Sequence, residues 1–150
     1  MKNIAVVYIT IVILVVLLAE VGIYIANNRI AESIRLKLIS FPCPDYITIE
    51  DSVSVAGKVF GNGNGMQYTG AMLIQSAENE KCIDMYYNSV NPECEVKQLQ
   101  SSTIGNAFYF KEITESKSYY VITLTFDIEG ETIPDTLLYR ILSDCDIRGH

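Results

Sequence analysis

IAVVYITIVILVVLLAEVGIYIA, residues 4 to 26, decides how everything else in the chain is read. It is an apolar run of 23 residues with Glu20 as its only charge. As a helix it would extend roughly 30–35 Å, the thickness of a bilayer's hydrocarbon core. Its β-branched residues would suit a strand in water. In lipid, however, a lone segment satisfies its backbone groups only as a helix. A cleaved signal peptide would have a shorter apolar region and end in a small-x-small site. Leu17-Leu18-Ala19 and Tyr24-Ile25-Ala26 each begin with a large residue, so an uncleaved anchor is expected. A carboxylate at Glu20 is costly at that depth unless it is paired or near the headgroups. Contact with a partner's transmembrane helix is its sharper role.

Outward from this run the charge is uneven. Lys2 precedes it, and Arg29, Arg35 and Lys37 follow it. Flanking charge alone would put the following residues in the cytoplasm. Opposing this, the rest is a long acidic domain, which translocates with little regard to flanking charge, and it holds all four cysteines. The expected layout is a cytoplasmic tail (1–3), a transmembrane helix (4–26), a juxtamembrane helix or stalk (27–41) and an exported, disulfide-bonded β-rich domain (42–150). The whole chain has 150 residues and a net charge of -7. That argues against a soluble enzyme of one large domain. It also argues against direct nucleic-acid binding, because acidity repels phosphate.

The cysteines, Cys43, Cys82, Cys94 and Cys145, include no Cys-x-x-Cys pair, and the only histidine is His150. Close ligand pairs for zinc are therefore missing. Four spread cysteines beyond an anchor predict two disulfides. Of three pairings, Cys82–Cys94 would close a loop around Asn91-Pro92, and Cys43–Cys145 would then tie the domain's start to its end.

Ile30, Ile34 and Leu38 recur at spacing four, with Ala31 and Leu36 beside them, predicting a helix over 28–40 that continues the anchor. Pro42 and Pro44 end it. Strands are expected over 46–60, kinked at Gly57, over 66–75, 81–89, 107–113 and 119–128. In the last, Tyr119, Val121, Thr123 and Thr125 should face one way, and Tyr120, Ile122, Leu124 and Phe126 the other. Gly61 to Gly65 is a hairpin loop without a phosphate loop's Lys-Ser/Thr ending. Residues 136–142 suit a short helix capped by Asp135. The fold class is α+β: two N-terminal helical segments, a small, mainly antiparallel curled sheet, and a short C-terminal helix.

Carboxylate pairs at Glu50-Asp51, Glu78/Glu80 and Glu129/Glu131 fall in or beside expected turns, where solvated charge is ordinary. Asp144-Cys145-Asp146 has too few neighbouring oxygens for calcium. No catalytic residue, cofactor site or metal site is assigned. Glu129 and Glu131, through mutual repulsion, and His150, the only histidine, are candidates for a pH response.

Several short segments carry a family resemblance: Cys43 before the first strand, Val53-Ser-Val-x-Gly57, Tyr68-Thr-Gly70, Asn106-x-Phe-Tyr-Phe110, Ile133-Pro-Asp-Thr-Leu-Leu138 and a final Cys145. In this layout the chain resembles the FidL-like membrane proteins encoded beside ToxR-like regulators. That group includes the PsaF and MyfF type of fimbrial regulator and, more loosely, VtrC and ToxS. The resemblance implies a bacterial inner-membrane protein with a periplasmic domain. That domain would bind, protect and activate a ToxR-like transmembrane transcription regulator in response to pH or similar signals, controlling virulence or fimbrial genes. By likeness to VtrC it also implies a partial lipocalin-like barrel, completed by the partner, that takes a small apolar ligand. Two other classes fit the same layout: a viral envelope or entry-complex subunit, and a small periplasmic enzyme or chaperone-like factor. The lack of an Asn-x-Ser/Thr sequon favours bacteria over the viral reading. A cleft with convergent polar groups would favour an enzyme.

Overall fold

The computed structural model describes residues 2–57, 66–99, 103–104, 108–109, 118–127, 137–146 and 148. The first element is one unbroken helix, α1 (Lys2–Ile39). The expected transmembrane and juxtamembrane segments are therefore a single element. Its apolar part is long and apolar enough to cross a membrane, and the large side chains from Ile4 to Ile25 are mostly exposed. At Asn27 the helix changes character. Asn27, Ala31, Ile34 and Leu38 are buried, a stripe at spacings of four, three and four that places them on one face. The stripe runs through Ala31 more than through Ile30, which is half-buried, and Leu36 is exposed.

That stripe lies on an open four-stranded antiparallel sheet of order β1-β2-β6-β3. The strands are β1 (Ile47–Gly57), β2 (Gln67–Ser76), β3 (Cys94–Leu99) and β6 (Tyr119–Asp127). Thr103–Ile104 (β4) and Phe108–Tyr109 (β5) form a separate two-stranded pair. The β1 register shifts between Ile49 and Asp51, so Glu50 is the extra residue of a bulge. Glu50-Asp51 thus lies inside a strand, not in a turn. Because β2 is central, seven consecutive residues from Tyr68 to Ile74 are buried, as a strand covered on both faces requires. Tyr120, Ile122, Leu124 and Phe126 join the main core with Tyr68, Met72 and Ile74. Tyr119 and Val121 join a second cluster with Ala71 and Leu73 on the opposite face. The two-faced reading of residues 119–126 therefore holds.

Gly70 is where helix and sheet meet most closely. A Cβ there would lie 2.7 Å from the Arg35 backbone and 3.0 Å from the Ile34 carbonyl carbon. Only glycine lets α1 sit this deep.

The segment expected as a strand over 81–89 is a helix, α2 (Glu80–Val90). Asn79 caps it by accepting from the Cys82 N–H at 3.0 Å. Ile83 and Tyr87, one turn apart, are buried against the sheet. The Asn79 cap and the four-residue spacing of Ile83 and Tyr87 select the helix. The C-terminal helix is α3 (Leu137–Asp144). The expected cap Asp135 and the 61–65 loop lie outside the described residues.

Candidate functional site

The most elaborate polar arrangement sits where α1 enters the domain. Asn27 is fully buried on the α1 stripe. Its side-chain N–H groups donate to the Leu142 carbonyl at 3.0 Å and to Asp146 Oδ2 at 2.8 Å. Its Oδ1 accepts from the Tyr68 hydroxyl at 2.8 Å. One amide thus joins α1, β2 and the residues after α3. Arg148 grips the Asp146 carboxylate with two donors, Nε at 2.9 Å and Nη2 at 2.7 Å, the bidentate geometry that suits guanidinium and carboxylate. Its Nη1 donates to Asn28 Oδ1 at 2.8 Å. The same guanidinium lies over the Tyr24 ring, 4.1 Å from its centroid. Ser143, also buried, accepts from the Met66 backbone N–H at 3.0 Å.

This cluster is satisfied internally. No buried side-chain nitrogen or oxygen among the described residues lacks a partner, and such networks fix a unique arrangement. Asp146 is almost fully buried, yet Arg148, with help from Asn27, holds its carboxyl down at about 2. The carboxylate that could have served calcium is already committed to Arg148 and Asn27. Chemically the arrangement is a latch: it locks the C-terminal segment onto α1 at the end of the apolar run.

A second charged group lies farther along α1. Glu32 accepts from Arg35 and from the Ser54 hydroxyl, and Arg35 also donates to Ser52. These contacts fasten edge strand β1 to the helix. The Arg35 hydrogen bond holds the Glu32 carboxyl below the usual range.

All four cysteines are free thiols, so neither expected bridge is formed, and the fold explains why. Cys145 follows α3 beside the Asn27 latch, whereas Cys43 lies beyond the far end of α1. Twelve residues of helix between Asn27 and Ile39 span roughly 18 Å, too far for a disulfide. Cys82 is in the first turn of α2, whose Glu80 carboxylate accepts from the Gln98 N–H at 3.0 Å. Cys94 lies at the other end of β3, beyond bridging reach of that turn. Burial pushes the Cys94 thiol up to about 11 and raises Cys43 as well, which makes both poor nucleophiles.

Glu20 is exposed on the apolar part of α1 and shares a cavity wall with Tyr24, Asp146 and Arg148. The expected pH-responsive residues Glu129, Glu131 and His150 lie outside the described residues. The latch itself escaped sequence reading. Its one legible signal was Asn27, a polar residue at the head of the 27, 31, 34, 38 stripe. No family model, curated protein or solved structure matches the chain.

Proposed function

We propose that this is a non-catalytic, single-pass accessory protein of the bacterial inner membrane. Its C-terminal domain faces the periplasm and binds, stabilises and activates the matching domain of a ToxR-like transcription regulator. The observation that carries this reading is the continuity of α1. One helix supplies both a stretch able to span a membrane and the stripe on which the sheet is built. The domain is therefore held at a fixed height and angle over the bilayer, where another single-pass protein would present its own exported domain. The latch and the Glu32–Arg35 contacts leave it little freedom to swing.

Supporting features are the open sheet and its edge. Among the described residues β1 has a strand partner on one side only, and Ile49 is exposed there. An unpaired edge with an apolar side chain suits pairing with another chain's strand. The lipocalin-like barrel with its small apolar ligand would arise in this way, and the sensing of pH or a similar signal, with the resulting control of virulence or fimbrial genes, belongs to the same proposal.

The test is affinity purification from detergent-solubilised native membranes, followed by mass spectrometry. A membrane-bound winged-helix regulator should co-purify, and deleting this chain should lower transcription of that regulator's targets. Co-purification without any transcriptional effect, or no such partner, overturns the reading.

A further inference from the structure

Two cavities flank the latch and share a wall. The lower, of about 330 Å³, is lined by Glu20, Val21, Ile23 and Tyr24 of α1 together with Asp146 and Arg148. The upper, of about 470 Å³, lies between α1 and β1. Asn28, Glu32, Ser54 and Val55 line it, again with Tyr24 and Arg148. Tyr24 and Arg148 thus form a common waist. Below them the walls belong to the apolar run, and above them they are largely polar. This polarity gradient runs along the axis of a helix that can span a membrane. A molecule filling both cavities would be apolar at one end and polar at the other.

The charges narrow the choice. Arg148 commits three of its five N–H donors to Asp146 and Asn28. That leaves two for a phosphate oxygen. Glu32 lies one helical turn beyond Asn28, roughly 6 Å up the axis. It uses three acceptor positions on Arg35 and Ser54 and keeps capacity for one more donor. Cation first and carboxylate above is the complement of a phosphate followed by an ammonium. Arg148 and Arg35 already pair with Asp146 and Glu32, and Glu20 stands beside them, so a net-negative headgroup would meet no spare positive charge here, whereas a zwitterion adds no net charge. A quaternary choline has no N–H to give Glu32.

We propose that this groove binds one phospholipid with an ethanolamine headgroup, its phosphate on Arg148, its ammonium on Glu32 and an acyl chain against Val21 and Ile23. The site rests on α1 being a membrane span. The bound lipid would steady the domain against the bilayer at the latch.

The test uses the full chain in nanodiscs of equal parts ethanolamine, glycerol and choline phospholipids. Alkaline extraction of native membranes first establishes that the chain is integral; if it is not, the anchor reading fails and the site with it. The nanodisc protein is then moved to mild detergent, and retained lipid is counted by native mass spectrometry. About one ethanolamine lipid per chain should remain. Its enrichment over the other two should be about tenfold to a hundredfold, the selectivity that one hydrogen bond to a charged group provides. Glu32→Gln and Val55→Phe, which remove the ammonium's partner and fill the upper cavity, should return the ratio to that of the bulk. Leu14→Ala, on the exposed apolar part of α1, should leave it unchanged. Thermal unfolding in the same detergent checks that the variants fold, and Glu32→Gln decides alone if Val55→Phe does not. An integral chain retaining lipid at the bulk ratio, or enrichment that survives Glu32→Gln, overturns the site while leaving the anchor reading intact.

Discussion

Asn27 shows how much one side chain can organise. Replaced by alanine, it removes the hydrogen bonds made to the Tyr68 hydroxyl and to Asp146 in a buried place. Such losses cost about 1–3 kcal/mol each, so Asn27→Ala should lower stability by about 2–4 kcal/mol in denaturant titrations. Asp146 makes the arrangement pH-dependent. Its folded value of about 2 lies below the ordinary 3.8, so the carboxylate favours folding by about 2 kcal/mol above the ordinary value. That contribution is lost as pH falls from the ordinary value toward 2. Unfolding midpoints measured across this range should fall more steeply for the natural chain than for Asp146→Asn. Equal slopes would show that the latch carries no such linkage. Gly70 acts by absence: Gly70→Ala puts a methyl group against the α1 backbone and should cost about 1–3 kcal/mol, as overpacking does.

At the level of elements, legibility followed the number of independent signals. Residues 119–126 alternate cleanly between two faces, and β6 forms there with both faces as read. The α1 stripe was nearly read, with Ala31, Ile34 and Leu38 correct, Ile30 only half-buried and Leu36 exposed, and Asn27 overlooked because polar residues are not sought in a core. α2 was misread because Tyr86 and Tyr87 favour strands, while the Asn79 cap and the Ile83/Tyr87 spacing carried the better signal. Asn79→Ala should cost about 1 kcal/mol, and Ile83→Ala, at a fully buried position, about 2–5 kcal/mol, both by thermal or chemical unfolding. The latch was illegible for a different reason. Asn27 and Asp146 stand 119 residues apart, and nothing local marks two such residues as partners. The cysteines misled by their even number. Pairing was inferred from where they stand along the chain, while the length of α1 and the run of β3 set where they stand in space.

For the whole molecule, the dominant fact is that a stretch able to span a membrane and part of the core share one helix. An anchor joined by a loose stalk would leave the domain complete without it. Here Ala31, Ile34 and Leu38 are within the main core, and burying Ile34 and Leu38 alone is worth roughly 1.5–3 kcal/mol each. The sheet face beneath them would otherwise be open to water. The direct measurement is urea unfolding of two shortened chains, residues 27–150 and residues 41–150, followed by circular dichroism. The longer chain should be soluble and unfold in one cooperative transition. The shorter should show no cooperative transition, because the sheet has lost the helix that covers it. A shorter chain that unfolds cooperatively at the same midpoint would contradict the account and make α1 a tether alone.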